Sequence, residues 1–160
     1  MREHTGGIMS TEDISIRKAS PSDCDRLSDL LTELFFIETD FVIDGTKHAK
    51  GISMIIDGDD RSVMFVAEHE GRIVGMVSGQ IVISTAEGAA SLLLEDMVVT
   101  GEFRRSGIGS ALFRELLSWA KDKGAKRIQL VADRENNPAL MFYKKQGFRQ
   151  SRMTGMYKGI

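Results

Sequence analysis

One cysteine, Cys24, stands in the whole 160-residue chain, so no disulfide can close within it. That usage suits a reducing compartment, and a cytoplasmic location is expected. Basic residues are not in excess either. Against 23 Asp and Glu there are 21 Lys and Arg, a net charge of −2 that sets up no broad field for nucleic acid or an anionic membrane. The run Lys121, Lys123, Lys126 and Arg127 is local and reads as the cationic end of a helix. No apolar run approaches the ~20 residues of a membrane span, and the first residues lack the basic-then-apolar order of a secretory leader. The three histidines, His4, His48 and His69, lie far apart without metal-ligand spacing, so neither a metal nor a His-based triad is expected.

Two common phosphate loops are missing as well. No glycine is followed, after four residues, by Gly-Lys-Ser/Thr, which excludes a P-loop. Leu112 stands where a dinucleotide fingerprint needs its third glycine.

What the chain does have is the loop Arg104-Arg105-Ser106-Gly107-Ile108-Gly109. It follows the apolar run Leu92 to Val99 and precedes the amphipathic stretch Ser110 to Asp122. Strand, glycine turn and helix in that order leave unpaired backbone N–H groups and a positive helix end in one loop, which suits a phosphate. Arg104 and Arg105 would add charge-assisted donors. The helix carries Ile108, Leu112, Leu116 and Ala120 at four-residue spacing, and Gly124 is its stop.

The remaining order predicts one α/β (α+β) domain over residues 14–160, preceded by a poorly ordered segment, 1–13. Ile14 to Lys18 is a strand, and a helix begins near Pro21 with Leu27, Leu30, Leu31 and Leu34 as its buried stripe. A second helix is predicted around Lys47 to Ile56. Val63 to Glu68 and Arg72 to Ser84 form a hairpin through His69-Glu70-Gly71. Further strands are predicted at Leu92 to Val99 and Arg127 to Ala132, with a last pair at Phe148 to Arg152 and Met156 to Ile160. Met97, Met141, Met153 and Met156 are expected to line core or pocket.

Glu95 and Asp96 interrupt an otherwise apolar strand, where unpaired charge is costly. In a regular strand only one of the two can face a given cleft. Asn136-Asn137-Pro138 would cap and begin another helix, and Tyr143 lies on it four residues before Gly147.

The pattern Asn136, Ala139, Tyr143, Gly147, Phe148, together with Arg104, Gly107 and Gly109, resembles the GNAT superfamily of acyl-CoA-dependent N-acyltransferases. The resemblance runs from Ile16-Arg17 through Asp23 to the C-terminus, and Gly101 departs from it where family members often have proline. It implies a mixed, mostly antiparallel central sheet flanked by helices, with acetyl-CoA as co-substrate. The loop Arg104, Arg105, Ser106, Gly107, Ile108, Gly109, Ser110 would cradle the CoA diphosphate, with Asn136 also on the cofactor side. The strand would bulge and splay at Met97, Val98 and Val99 to pair with pantetheine amides. Tyr143 would be the proton donor to the leaving thiolate. The acidic pair is similar to the diamine acetyltransferase branch, where Glu95 would handle the amine and Asp96 would lie close by. The resulting expectation is direct acetyl transfer in a ternary complex to a primary amine of a small molecule, without metal, nucleic acid or membrane, and with a homodimer as the assembly. A protein N-terminus or lysine as acceptor, a non-catalytic acyl-CoA-binding module, and a nucleotide-binding regulatory domain are the rivals.

Overall fold

The computed structural model describes residues 13–160, so the expectation for residues 1–13 falls, Asp13 apart, outside it. Five strands form one sheet in the order β1 (Ile14–Lys18), β2 (Ser62–His69), β3 (Arg72–Ser84), β4 (Ala89–Val99) and β5 (Ala125–Gln129). The first four pair antiparallel, while β5 runs parallel to β4. The β2–β3 hairpin turns on Glu70-Gly71, both left-handed at φ 49° and 77°, which gives the two-residue turn whose twist matches its strands. This is the mixed, mostly antiparallel sheet that the family resemblance implies.

Alternating side chains split the apolar residues between two layers. Val63, Phe65, Val74, Val77, Leu92 and Leu94 meet α3 (Ile108–Asp122) on one face. Met64, Val66, Ile73, Met76 and Val98 meet α1 (Cys24–Phe35) and α2 (Gly45–Ile56) on the other. Leu27, Leu30, Leu31 and Leu34 of α1 are all buried, as their spacing requires. On α3 the buried stripe is Ile108, Leu112, Leu116 and Ala120 with Phe113 and Trp119. Gly124, at φ 74°, ends that helix in the left-handed form.

Arg17 ties the start of the chain to this frame. Its guanidinium meets Asp23 at 2.7 Å and Glu68 at 2.9 Å, joining β1, the turn before α1, and β2. Arg17 with its hydrogen bond outweighs burial and holds the Asp23 carboxyl down at about 2.

Beyond α4 (Asn137–Lys145) the described residues contain no further strand. The expected pair Phe148 to Arg152 and Met156 to Ile160 is therefore corrected. Gly155 precedes the second run and Gly159 interrupts it, and glycine weakens a strand. The tail instead crosses toward the segment after α1, where Tyr157 stacks on Phe41 with ring centroids 6.1 Å apart. Met153 and Met156 are consequently exposed, as is Met141 on α4, so of the four methionines only Met97 packs against the core.

Candidate active site

β4 is not a regular strand where its two carboxylates lie. Val77 pairs with Met97 and Gly79 with Leu94, so Glu95 and Asp96 together stand opposite the single residue Ser78. Leu94 and Met97 both pack against the α3 layer although three positions separate them, which alternation alone forbids. The inserted residue resolves the conflict, and it comes just before the Met97 to Val99 stretch. Asp96 turns to the α1/α2 face with Ser78, while Glu95 is exposed.

Ser78 is wholly buried, and its hydroxyl bonds Asp96 twice. It donates to Asp96 Oδ2 and accepts from Asp96 N–H, both at 3.2 Å. Burial, helped by the neighbouring charge of Glu95 and opposed by the Ser78 hydrogen bond, pushes the Asp96 carboxyl up to about 6.

Pairing between β4 and β5 reaches only Leu93 and Gln129. The rest of β4, from Leu94 on, presents an open backbone edge on that side. Arg104 Nε takes one of its carbonyls, that of Val99, at 2.9 Å.

The glycine loop enters α3 through Arg105 at φ 63° and Gly107 at φ 87°. Gly107 is the N-cap, with no side chain capping the helix, and Ala111 N–H already takes its carbonyl. The first-turn N–H groups of α3 thus have no intrahelical partner. A Cβ at Gly107 would meet no atom within 4 Å, so the residue faces open space and its backbone conformation is what demands glycine. Gly109 differs, since a Cβ there would lie 3.3 Å from the Phe142 ring and 3.5 Å from Met97 Cε. Its small size lets the first turn of α3 close on α4 and β4. Ser110 Oγ holds the same junction by accepting from Gln146 Nε2 at 3.0 Å.

Asn136 caps α4, its side chain accepting from Ala139 N–H at 3.2 Å, and Pro138 lies in the first turn. Tyr143 follows on the inward side, between Phe142 and Phe148 at 5.4 and 5.5 Å, both edge-on. Burial, then the negative charges of Glu38 and Asp96, push its phenol up to about 12. It stays protonated at neutral pH. Sequence reasoning missed Glu38, on the segment between α1 and α2. Its carboxyl is raised by burial and by Asp96, Asp133 and Asp40. No local pattern marks Glu38 or Asp133, because only the fold brings them together.

The catalytic candidates Tyr143 and Asp96 therefore share one electrostatic neighbourhood, beside the open edge of β4 and the start of α3. The acetyltransferase (GNAT) family model matches residues 25–148. The chain belongs to that family. It is 34% identical over 92 residues to an uncharacterised N-acetyltransferase of Methanocaldococcus jannaschii, covering 57% of this chain and 41% of that protein. It is 33% identical over 87 residues to the glucosamine 6-phosphate N-acetyltransferase of Trypanosoma brucei brucei, covering 54% and 57%. The matches thus span roughly two fifths to three fifths of these curated relatives. An aminoglycoside N-acetyltransferase solved with CoA superposes with a TM-score of 0.79 at 18% identity, covering 91% of this chain and 94% of that one, which establishes the GNAT fold. Among the described residues no helix is long and apolar enough to cross a membrane.

Proposed function

We propose that this GNAT protein transfers an acetyl group from acetyl-CoA to a primary amine of a small molecule, by direct attack in a ternary complex. The observation that carries the reading is the acetyltransferase fold in which an uncapped helix start, entered through the left-handed Gly107, accompanies a β4 edge left unpaired beyond Leu93. The residues fit the co-substrate. Arg104 to Ser110 would hold its diphosphate through the uncapped N–H groups at Gly107, and Met97 to Val99 would pair with the pantetheine amides along the free edge. Asn136, its oxygen committed to the α4 cap, has only its amide N–H groups to offer.

Acetyl-CoA supplies an activated thioester, and the chain has two proton tasks to perform around it. An amine of ordinary pKa ~10.4 is ammonium at pH 7, and freeing its lone pair costs about 4 to 5 kcal/mol. Asp96, with Ser78 fixing its carboxylate, takes that proton, and Glu95 and Glu38 add negative potential that draws the ammonium in. The Tyr143 hydroxyl gives a proton to the departing sulfur as the new C–N bond forms. Two protons therefore leave the nitrogen as the C–N bond forms and the C–S bond breaks: the ammonium proton, which Asp96 takes and passes to solvent, and one shed by the tetrahedral adduct, which balances the proton Tyr143 gives to sulfur, leaving an acetamide, a free thiol and one released proton. We place the base at Asp96 rather than Glu95 because the bulge turns Asp96 inward, where Ser78 holds its carboxylate, while Glu95 is exposed.

A panel of primary amines assayed with acetyl-CoA by thiol release tests the reading. Turnover with small amines supports it. Turnover only with peptides would move the acceptor to protein, and CoA binding without turnover on any amine would make the chain an acyl-CoA-binding module.

A further inference from the structure

Arg26 and Glu33 stand two turns apart on one face of α1, both partly buried. Arg26 Nε donates to the Ile73 carbonyl of β3 at 3.0 Å, and Nη1 meets Glu33 Oε1 at 3.4 Å. Nη2 is buried without a hydrogen-bond partner, and among the described residues Glu33 is the one carboxylate within ion-pair distance of this guanidinium. Glu33 has a second and closer contact. Its Oε2 accepts from the Thr100 hydroxyl at 2.9 Å, across 67 positions of the chain.

Thr100 is buried, and it is the junction between β4 and the glycine loop. Its N–H donates to the Val74 carbonyl at 2.9 Å, and its carbonyl accepts from Phe103 N–H at 3.0 Å. Ser106 Oγ in turn donates to the Phe103 carbonyl, and Gly107 follows as the N-cap of α3. Hydrogen bonds thus lead from α1 to the residue before that cap, while Arg104 and Arg105 between them are exposed.

α1 does not need this network in order to dock. Leu27, Leu30, Leu31 and Leu34 are each at most 7% exposed, and a part-exposed ion pair as long as 3.4 Å adds little to them. The shorter bond is the one to Thr100, at the point where the chain leaves the sheet. Backbone N–H groups bind an anion well only over a narrow range of distance and angle, so the place where the loop departs governs how they meet a diphosphate.

We propose that Glu33, oriented by Arg26, is a positioning residue for acetyl-CoA. It acts through Thr100, whose tethered hydroxyl sets where the loop from Arg104 to Ser110 stands, and not on the co-substrate itself. The inference rests on the diphosphate cradle in the reading above.

Calorimetric CoA affinity, taken well below Tm, tests it. Thr100→Val keeps the shape and removes the hydroxyl, and is expected to raise Kd for CoA about tenfold, the scale of one hydrogen bond to a charged group. KM for acetyl-CoA should rise with it, while kcat at saturation stays near wild type. Thr100→Ser should restore both. Glu33→Ala is expected to repeat the loss, and if Thr100→Val does not fold it carries the test. Glu33→Gln should bind as wild type, since its amide oxygen can accept from Arg26 while its N–H donates to Thr100 Oγ. Asp23→Asn is the control for plain destabilisation, with a lower Tm and an unchanged Kd. Wild-type Kd in both Thr100→Val and Glu33→Ala, a matching loss of affinity in Asp23→Asn, or no recovery in Thr100→Ser overturns the inference. Gly107→Val separates it from its parent. If that variant loses CoA and Thr100→Val does not, the cradle stands and only the role of Glu33 falls. If Gly107→Val binds CoA as wild type, both fall.

Discussion

Ser78 bonds both ends of Asp96, donating to its carboxylate and accepting from its backbone N–H at 3.2 Å each. One buried hydroxyl thus holds the extra residue of a bulge in place and aims its side chain. Bulges next to active sites commonly re-aim a group in this way.

Asp96→Asn is expected to lower turnover at pH 7 by roughly 10²- to 10⁴-fold, with partial recovery as rising pH delivers free amine. With the carboxyl raised to about 6, the wild-type kcat/KM should fall as pH drops through 6. Stability moves the other way. A carboxyl raised from 3.8 imposes no penalty below about 4, a growing one up to about 6, and the full penalty above. Asp96→Asn should therefore raise Tm at pH 7.5, by up to about 3 kcal/mol of stability, and leave it unchanged near pH 4. Glu95→Gln, at the exposed position, should have the smaller effect on the pH profile. Loss of activity in Glu95→Gln with a wild-type profile in Asp96→Asn would return the base to Glu95.

Tyr143→Phe keeps the ring between Phe142 and Phe148 and removes only the hydroxyl. CoA affinity should change little, while kcat falls by roughly 10²- to 10⁴-fold. Titration of the wild-type phenol should show no ionisation below pH 10, since burial and two nearby carboxylates oppose it. Turnover equal to wild type in the variant would make Tyr143 a packing residue.

The two glycines of the loop should separate by their different surroundings. Gly107 adopts φ 87° in open space, so Gly107→Val is expected to cost about 1 to 2 kcal/mol through its backbone and to abolish most CoA binding. Gly107→Asn, which tolerates the left-handed region, should recover much of the stability. Gly109→Ala presses on the Phe142 ring instead, and should perturb the α3–α4 junction while leaving the loop conformation intact. Calorimetric CoA affinity alongside thermal melts checks all three, and unchanged affinity in Gly107→Val would remove the phosphate cradle.

The parts of this fold that are legible in the sequence are those written locally. The α1 stripe of Leu27, Leu30, Leu31 and Leu34 repeats at helical spacing, and Gly107 and Gly124 punctuate α3 at both ends. The bulge left no such mark, because one extra residue in an apolar run looks like a continuous strand until Ser78 pairs across from it. Glu38 was equally silent, since the segment after α1 reaches Asp96 only through tertiary packing. The tail failed for a related reason: β-like residues from Phe148 to Ile160 need a partner edge, and two glycines weaken their claim to one.

Asp23 offers an acid-side probe independent of Glu95 and Asp96. Arg17 binds it through two nitrogens, at 2.7 and 3.0 Å, and Ser20 N–H adds a third bond at 2.8 Å. A carboxyl lowered from 3.8 to about 2 contributes stability that is complete above about 4 and is lost as pH falls through 2. Arg17 is 39% exposed, so solvent screening reduces the contribution to roughly 1 to 2 kcal/mol. Asp23→Asn should lower Tm at pH 6, and the gap to wild type should close as both are taken toward pH 2. Asp96→Asn, by contrast, should differ from wild type at pH 7.5 and converge with it near pH 4. A gap between Asp23→Asn and wild type that stays constant from pH 6 to pH 2 would mean that the residue acts through packing and the cap at Ser20, and that its charge contributes nothing to the fold.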